Sequence, residues 1–370
     1  MFLILPLFTS FEDITVGGAT YSGDADHFVM IPDKDAFVNK VMVYLPGTTD
    51  RPELSSCLLK SVSETLTYPT LGLSYAYLNS GDSFRNGKCA LLPTIEEQVE
   101  CLDEQHKDAI DGGEYGATHF KEDGSAFWGE IEPANSITAR LGKLLKYLDE
   151  KNPGKGWGNM YEGDAEPNWK RIEIMGHSQG AGHVAYLGNT KKVLGGVMIS
   201  GPQDECIDCP EGTTFWIDET YMTKDKYTAF GSGDEGLYGV MSANWERMAT
   251  AGAIDWGEPS SVGFAVDKVD QCGSPLYTNV KYGDTSTCGG KEHCSTAIDD
   301  TIPYLEMTDG KKLFLYEQSV WPAIAKVGSC KHSKSTKSSK TSKTSKSTKS
   351  SKSSKSSKSS KVTKSPKLRN

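Results

Sequence analysis

The sequence predicts an α/β fold in which helices cover a mostly parallel sheet. The main observation is that short, strand-like apolar runs alternate along the chain with segments of helical periodicity. A second observation is that no linker-like segment interrupts this alternation before residue 331. The 370 residues, 37% of them hydrophobic, are also enough to build a packed core. One α/β domain is therefore expected over residues 21–330.

Six segments have the character of buried strands, and the first of them ends at a Pro-Gly pair. They span residues 39–47, 70–78, 169–176, 192–202, 226–235 and 262–269. Five segments carry apolar residues at helical spacing, and the third of these opens with Pro133 and stops at an Asn-Pro-Gly sequence. They span residues 53–66, 94–112, 133–154, 181–189 and 240–253.

Residues 331–370 differ from the rest of the chain in charge and composition. They carry 14 Lys or Arg and no Asp or Glu, with a lysine at every third position from Lys331 to Lys367. The intervening residues are almost all Ser or Thr, so this tail has little to bury and is predicted to be disordered. The preceding 330 residues hold 26 basic and 49 acidic side chains, a net charge of -23. Such an acidic body disfavours nucleic acid and anionic lipid as partners.

Two features of the sequence bear on cellular location: the N-terminal segment and the number of cysteines. Residues 1–20 begin with a short apolar run without basic residues, which is either the remnant of a signal peptide or a first strand. The nine cysteines favour an oxidising compartment, so export is expected. No apolar run approaches the length of a membrane span.

The cysteine spacings allow several disulfides without fixing their connectivity. The sequence "CIDC" (Cys206, Cys209) is compatible with a redox pair, half of a metal site or a small disulfide loop. The disulfide loop is favoured, because the chain has no second CxxC pair that would complete a zinc site. Cys89 with Cys101 is another candidate pair. Further pairs are expected among Cys272, Cys288, Cys294 and Cys330. Because nine is odd, one thiol is left over, and Cys57 is the expected one.

Residues 176–180 form a single Gly-x-Ser-x-Gly pattern around Ser178. A lone match is weak evidence, and the required context is a strand before the serine and a helix after it. The strand-like run "RIEIM" precedes the pattern and a small-residue helix follows it. A side chain at Gly176 or Gly180 would then collide with neighbouring backbone. Ser178 is therefore predicted to be a nucleophile on a sharp turn.

The order of residues along the chain selects the general base. Where a nucleophilic serine lies on a strand–turn–helix motif, the catalytic acid follows it in the chain and the catalytic histidine follows the acid. Of the seven histidines, only His183, His293 and His332 follow Ser178. His183 falls within the next helix, where packing is the expected role, and His332 lies in the tail. His293, in the glycine-flanked loop "GGKEHCSTAIDD", is therefore the predicted base.

The acid that would orient His293 has several candidates. Asp234 ends the predicted strand 226–235 and precedes a turn, so it is the first choice. Glu235 is adjacent, Asp204 follows the preceding strand, and Asp267 is a weaker option.

An acyl-transfer site also needs N–H donors for the oxyanion that forms on the substrate. The first predicted donor is the backbone N–H of Gln179, directly after the serine. The second is the N–H of Thr48 in "YLPGTTD", where Gly47 permits a close approach, with Thr49 as the alternative. A plain Pro-Gly turn is the competing interpretation of that loop.

With these residues in place, the chain resembles the α/β-hydrolase superfamily over residues 36–325. "MGHSQGAGH" is similar to its nucleophile elbow, "YLPGT" to its oxyanion loop, "GSGDE" to its acid turn and "EHCS" to its histidine loop. It looks closest to a group of secreted hydrolases of GHSQG type, with Cys89 and Cys101 as characteristic cysteines. The resemblance implies an eight-stranded, mostly parallel sheet. It also implies ester or amide hydrolysis through a serine acyl-enzyme, without a metal or other cofactor.

The chain departs from many lipases of that superfamily at the oxyanion loop, which is Leu-Pro-Gly instead of His-Gly-Gly-Gly. The acyl preference of those lipases therefore does not transfer to this chain. The interval between the strands at 192 and 226 also lacks room for a large lid, which favours an open esterase over an interface-activated lipase.

The tail resembles the lysine- and serine-rich repeats of diatom silica-associated proteins, the silaffins, and a flexible basic spacer is the alternative. Three functions are therefore carried forward. The first is a serine hydrolase acting on small-molecule or polymeric carboxylic esters. The second is an amidase or peptidase using the same residues. The third is a non-catalytic matrix protein whose tail attaches to silica or polyanions.

Overall fold

The computed structural model describes the chain over residues 26–33, 35–76, 89, 92–113, 131–206, 227–250, 260–262, 275–280 and 291–326. Contacts divide the chain into units of residues 1–332 and 333–370, and only the first unit contains described residues. The N-terminal segment 1–20 and the lysine-rich tail 331–370 therefore lie outside the described part.

Eight strands form the main sheet, and two further strand pairs form small antiparallel hairpins. In chain order the strands are β1 (Phe28–Met30), β2 (Val41–Leu45), β3 (Thr70–Gly72), β4 (Tyr161–Glu162), β5 (Glu166–Pro167), β6 (Ile172–His177), β7 (Gly195–Ile199), β8 (Tyr227–Ser232), β9 (Ser260–Val262), β10 (Leu276–Thr278), β11 (Tyr304–Glu306) and β12 (Lys312–Phe314). The order in the main sheet is β1-β3-β2-β6-β7-β8-β10-β9. Only the β1–β3 pair is antiparallel, so the predicted mostly parallel, eight-stranded sheet is confirmed.

Helices cover both faces of the sheet. They are α1 (Ser56–Leu66), α2 (Ile95–Asp111), α3 (Ile137–Lys151), α4 (Gln179–Thr190), α5 (Tyr238–Thr250), α6 (Lys291–Cys294) and α7 (Val320–Ala325). Alternate residues of β2 separate the two cores, because Val41 and Val43 join one cluster while Met42 and Tyr44 join the other. Residues of α3, α4 and α5 complete the first core, and residues of α1 and α7 complete the second. This sandwich is the predicted α/β-hydrolase type of fold.

Local signals in the sequence explain where helices begin and end. Thr94 caps α2 through a reciprocal capping box with Glu97, whose backbone N–H donates to Thr94 Oγ1 at 3.2 Å. Ser136 caps α3 in the same sense by accepting from the N–H of Ala139. All five predicted helices are present with ends shifted by a few residues.

The strands are shorter than the sequence predicts, and sequence analysis did not predict two strands of the main sheet, β1 and β10. Predicted strands 39–47 and 192–202 shrink to β2 and β7, because their ends leave the sheet to form loops at its carboxyl edge. The last predicted strand, 262–269, meets β9 only at Val262, and residues 263–274 lie outside the described part. The three-residue strands β1 and β10 are too short for periodicity to indicate.

The cysteine predictions are partly tested by the described residues. Cys89 and Cys101 form a disulfide with an S–S distance of 2.04 Å, as predicted. Cys57, on α1, is a free thiol, which confirms that prediction too. Cys206 and Cys294 are also disulfide-bonded. The pairing of Cys209, Cys272, Cys288 and Cys330 lies outside the described residues.

Candidate active site

Ser178 lies on a strained turn between β6 and α4. Its φ is 56° and its ψ is -120°, a backbone conformation that a residue with a side chain rarely adopts. The N–H of Ser178 donates to the carbonyl oxygen of Ile199 on β7 at 2.9 Å, which fixes the turn to the sheet. Both the strand before the serine and the helix after it are therefore present, as the motif requires.

The two glycines of the motif permit this turn by leaving no side chain in two crowded places. A Cβ at Gly176 would lie 2.3 Å from the carbonyl carbon of Gly180. A Cβ at Gly180 would lie 2.1 Å from the carbonyl oxygen of Leu45, at the end of β2. The predicted collisions with neighbouring backbone are confirmed at both glycines.

His293 lies beside this turn, on the short helix α6. Its ring centroid is 4.9 Å from that of His177, the residue immediately before Ser178. Its side chain is 19% exposed, so the imidazole is held by the protein and still reaches solvent. Fold topology thus brings residues 178 and 293 to the same edge of the sheet.

The carboxylate next to His293 belongs to Glu235. Its Oε1 lies 3.2 Å from Nδ1 of His293, and its side chain is only 3% exposed. The N–H of the first-choice acid, Asp234, donates to Ser232 Oγ at 3.3 Å. Of the other candidates, Asp204 contacts His106 instead of His293, and Asp267 lies outside the described residues.

Ser200 holds the second oxygen of Glu235. Its hydroxyl donates to Oε2 of Glu235 at 3.1 Å, and the residue is fully buried directly after β7. Ser200 also has a positive φ of 48°, which turns the chain toward the site. Gln203 Nε2 donates to the carbonyl oxygen of Ser200 at 3.1 Å and lies 3.2 Å from Nδ1 of His293.

The loop after β2 passes directly beside the serine. A Cβ at Gly47 would lie 3.0 Å from Cβ of Ser178, so this loop approaches as closely as a glycine allows. The hydroxyl of Tyr75 donates to the carbonyl oxygen of Pro46 at 2.8 Å and holds the loop in place. Thr48 follows Gly47, and Gln179 is the first residue of α4, where a helix leaves its N–H groups without intrahelical partners.

Sequence analysis missed two polar residues of this region, His177 and Asp50. His177 is fully buried, its Nε2 lies 3.0 Å from the carbonyl oxygen of His293, and its Nδ1 lies 3.4 Å from Oδ2 of Asp50. The available signal was strand periodicity: His177 shares a face of β6 with the core residue Met175, where a polar side chain needs a partner.

A second histidine–carboxylate pair lies against α4, beside Gly182 and His183. His106 Nε2 is 2.5 Å from Oδ1 of Asp204, and His106 Nδ1 is 3.1 Å from Nδ1 of His183. All three side chains are buried. Burial, with a smaller effect from His106, lowers the pKa of His183 well below its ordinary value. His183 is therefore a packed residue, as predicted.

The sheet order, the strained serine turn and the histidine at the carboxyl edge are those of the α/β-hydrolase fold. Within the described residues, no helix combines the length and the apolar character needed to cross a bilayer.

Comparison with solved structures found several esterases at low sequence identity. A single-substitution mutant of the esterase rPPE is 9% identical, with coverage of 86% of this chain and 83% of that chain and a TM-score of 0.38. An esterase/lipase from an uncultured bacterium is 11% identical, with 87% and 85% coverage and a TM-score of 0.37. Carboxyl esterase 2 from the mycorrhizal fungus Tuber melanosporum is 9% identical, with 75% and 79% coverage and a TM-score of 0.36. No protein-family model and no curated protein matches the chain.

Proposed function

We propose that this protein is a serine hydrolase that cleaves carboxylic esters through an acyl-enzyme. The observation that carries the proposal is the strained turn at Ser178 with the His293–Glu235 pair beside it. Backbone strain at the half-buried Ser178 costs stability, and active sites are where such strain is commonly kept.

In this proposal Ser178 Oγ attacks the ester carbonyl carbon and passes its proton to Nε2 of His293. Nδ1–H of His293 donates to Glu235, which keeps Nε2 free to accept that proton and stabilises the resulting imidazolium. In this proposal Glu235 takes the role for which sequence analysis preferred its neighbour Asp234. Its second oxygen accepts from Ser200, so the carboxylate keeps its orientation.

The oxyanion that forms on the substrate would accept hydrogen bonds from the backbone N–H groups of Gln179 and Thr48. The close approach of Gly47 to Ser178 supports the choice of this loop. When the intermediate collapses, the bond to the alcohol breaks and His293 returns its proton to the leaving oxygen. Water then attacks the acyl-enzyme by the same steps and regenerates Ser178.

We further propose that the protein works in an oxidising compartment, with export as the route. The Cys89–Cys101 disulfide supports this, as do the disulfide-bonded Cys206 and Cys294. The tail would then be available to silica or polyanions outside the cell.

The proposed role of the tail is tested by measuring how strongly the full-length protein and a chain ending at residue 330 adsorb to silica particles. Adsorption that needs the tail and survives Ser178→Ala supports it, and equal adsorption of both chains contradicts it.

The hydrolase proposal is tested by labelling the purified, folded protein with a fluorophosphonate probe. We expect the wild type to be labelled and Ser178→Ala and His293→Ala to lose labelling, because the probe requires an activated serine. Ser295→Ala is the matched control, since that hydroxyl donates to the carbonyl oxygen of Glu292 and has no assigned role. A series of p-nitrophenyl esters and anilides then separates esterase from amidase activity. An unlabelled, folded wild type would contradict the proposal and favour the matrix-protein alternative.

A further inference from the structure

Apart from the two glycines, His177 is the residue of the Gly-x-Ser-x-Gly pattern to which the proposed reaction gives no role. It nevertheless directly precedes the proposed nucleophile, Ser178, in the sequence. Its side chain is fully buried, which is costly for an imidazole unless its nitrogens have partners. The neighbours of this ring come from two other loops of the site.

The first neighbour is the backbone of the proposed general base. Nε2 of His177 lies 3.0 Å from the carbonyl oxygen of His293. A carbonyl oxygen only accepts, so Nε2 must carry the hydrogen and donate it. The two rings also pack against each other at 4.9 Å between centroids with an interplanar angle of 37°. One side chain therefore touches both the backbone and the imidazole of His293.

The second neighbour is the loop after β2. Nδ1 of His177 lies 3.4 Å from Oδ2 of Asp50 and has no hydrogen-bond partner among the described residues. A Cβ at Gly47 would lie 3.2 Å from the same nitrogen and 3.0 Å from Cβ of Ser178. The ring thus fills the space between the serine turn and the proposed oxyanion loop.

The carbonyl of His293 has other neighbours, but they anchor it differently. Thr296 lies three residues further along the same segment, and its hydroxyl reaches that oxygen at 3.3 Å. Ser200 Oγ is 3.0 Å away, but it also contacts Glu235 and Thr296 and has a single hydrogen to donate. His177 is the contact that ties this carbonyl directly to the residue preceding Ser178.

We propose that His177 is a positioning residue, which fixes the distance between His293 and Ser178 by donating a hydrogen bond to the His293 carbonyl. This inference rests on the proposed function, since it assigns His293 as the base. Proton transfer between the serine and the imidazole depends on hydrogen-bond distance. Misplacing a reacting group by about 1 Å can cost about 10²-fold in rate. His177 touches no reacting atom in this scheme, so it should affect kcat with little effect on KM.

The experiment compares three replacements of His177 in the full chain, with a p-nitrophenyl ester as substrate and the melting temperature measured in parallel. In His177→Gln the amide nitrogen can reach the place of Nε2 and keep the donor. In His177→Asn the shorter side chain places its amide nitrogen at the position of Nδ1, too far from the His293 carbonyl to donate to it. In His177→Leu the side chain has no hydrogen-bond donor. We expect kcat to fall about 10²-fold in the Leu and Asn variants and by less than about 10-fold in the Gln variant, with KM within about threefold throughout.

The outcomes separate this inference from the hydrolase proposal. Wild-type kcat in His177→Leu, in an enzyme whose Ser178→Ala variant is inactive, overturns the positioning role alone. Equal losses in the Gln and Asn variants, tracking their melting temperatures, also overturn it, because the role would then be structural. If His177→Leu does not fold, the Gln–Asn comparison decides. A folded wild type with neither turnover nor labelling overturns both proposals.

Discussion

The protein contains two histidine–carboxylate pairs with the same chemistry and opposite surroundings. In the His293–Glu235 pair the imidazole is 19% exposed and stands at the carboxyl edge of the sheet, beside a strained serine. In the His106–Asp204 pair the side chains are 0% and 2% exposed, and the pair links α2 and α4 to the loop after β7. The contrast teaches that residue types alone do not define a catalytic pair. Contact with solvent and a strained serine turn nearby distinguish the first pair from the second, and the proposed function rests on that difference.

The largest expected effect is on kcat, and it distinguishes Glu235 from the adjacent Asp234 as the acid beside His293. Glu235→Gln should lower kcat by about 10⁴-fold, because the imidazole loses the acceptor that fixes its tautomer and stabilises its charge. The matched change Asp234→Asn should stay within about threefold of the wild type. Ester turnover of both purified variants is the measurement. Losses of equal size, or the reverse order, would return the role of acid to Asp234.

The buried pair should matter for stability instead of rate. His106→Leu leaves Asp204 buried without its partner, and a broken buried pair of this kind costs about 3–5 kcal/mol. The double variant His106→Leu/Asp204→Leu removes both groups and should be more stable than His106→Leu alone. Urea unfolding measures both, and kcat of the folded protein should change by only a few fold. A large loss of kcat at unchanged stability would mean that the two pairs do not differ in role.

The first turn of α4, directly after Ser178, is packed against β2. Gly180→Ala should destabilise the protein by at least about 1–3 kcal/mol, because the new Cβ would press on the carbonyl of Leu45. Gly236→Ala is a suitable control, since nothing lies within 4 Å of its added Cβ. Unfolding midpoints of the two variants give the comparison, and similar midpoints would argue against the close packing of the elbow.

The last prediction concerns the dependence of stability on pH, which the buried His27 should contribute to. Burial, with a smaller contribution from Arg140, lowers the pKa of His27 to about 3, and its Nδ1 accepts from the N–H of Ser74. Since the unfolded chain binds a proton near pH 6.5 and the folded chain does not until about pH 3, stability should fall as pH drops through this window. His27 alone contributes about 1.4 kcal/mol per pH unit there.

The measurement for this last prediction is urea unfolding at several pH values between 6.5 and 4. His27→Gln should show a smaller loss of stability per pH unit than the wild type, because its side chain has no proton to gain. An unchanged slope would mean that His27 is not buried in its neutral form.

Several features followed from the sequence because they depend on local pattern or on chain order. The alternation of runs predicted a parallel sheet, and the strand–serine–helix context predicted the turn at Ser178. Order along the chain selected His293, and the structure does bring it beside that turn. The Cys89–Cys101 disulfide was one of several pairings that the sequence allowed, and Cys57 was the expected left-over thiol.

Other features depended on directions and distances that only the folded chain has. Asp234 and Glu235 are neighbours in a turn, so local pattern cannot say which carboxylate faces His293, and a one-residue difference in the turn reverses the choice. Asp204 met His106 because α2, 98 residues earlier, packs beside α4. His177 acquired a partner 116 residues away for the same reason. The sequence by itself therefore determined the class of fold, through propensity and periodicity, and the chain order of the residues to which the proposed function gives roles. The tertiary structure alone decided which side chains meet, because contact between distant residues depends on how the packed helices and sheet orient them.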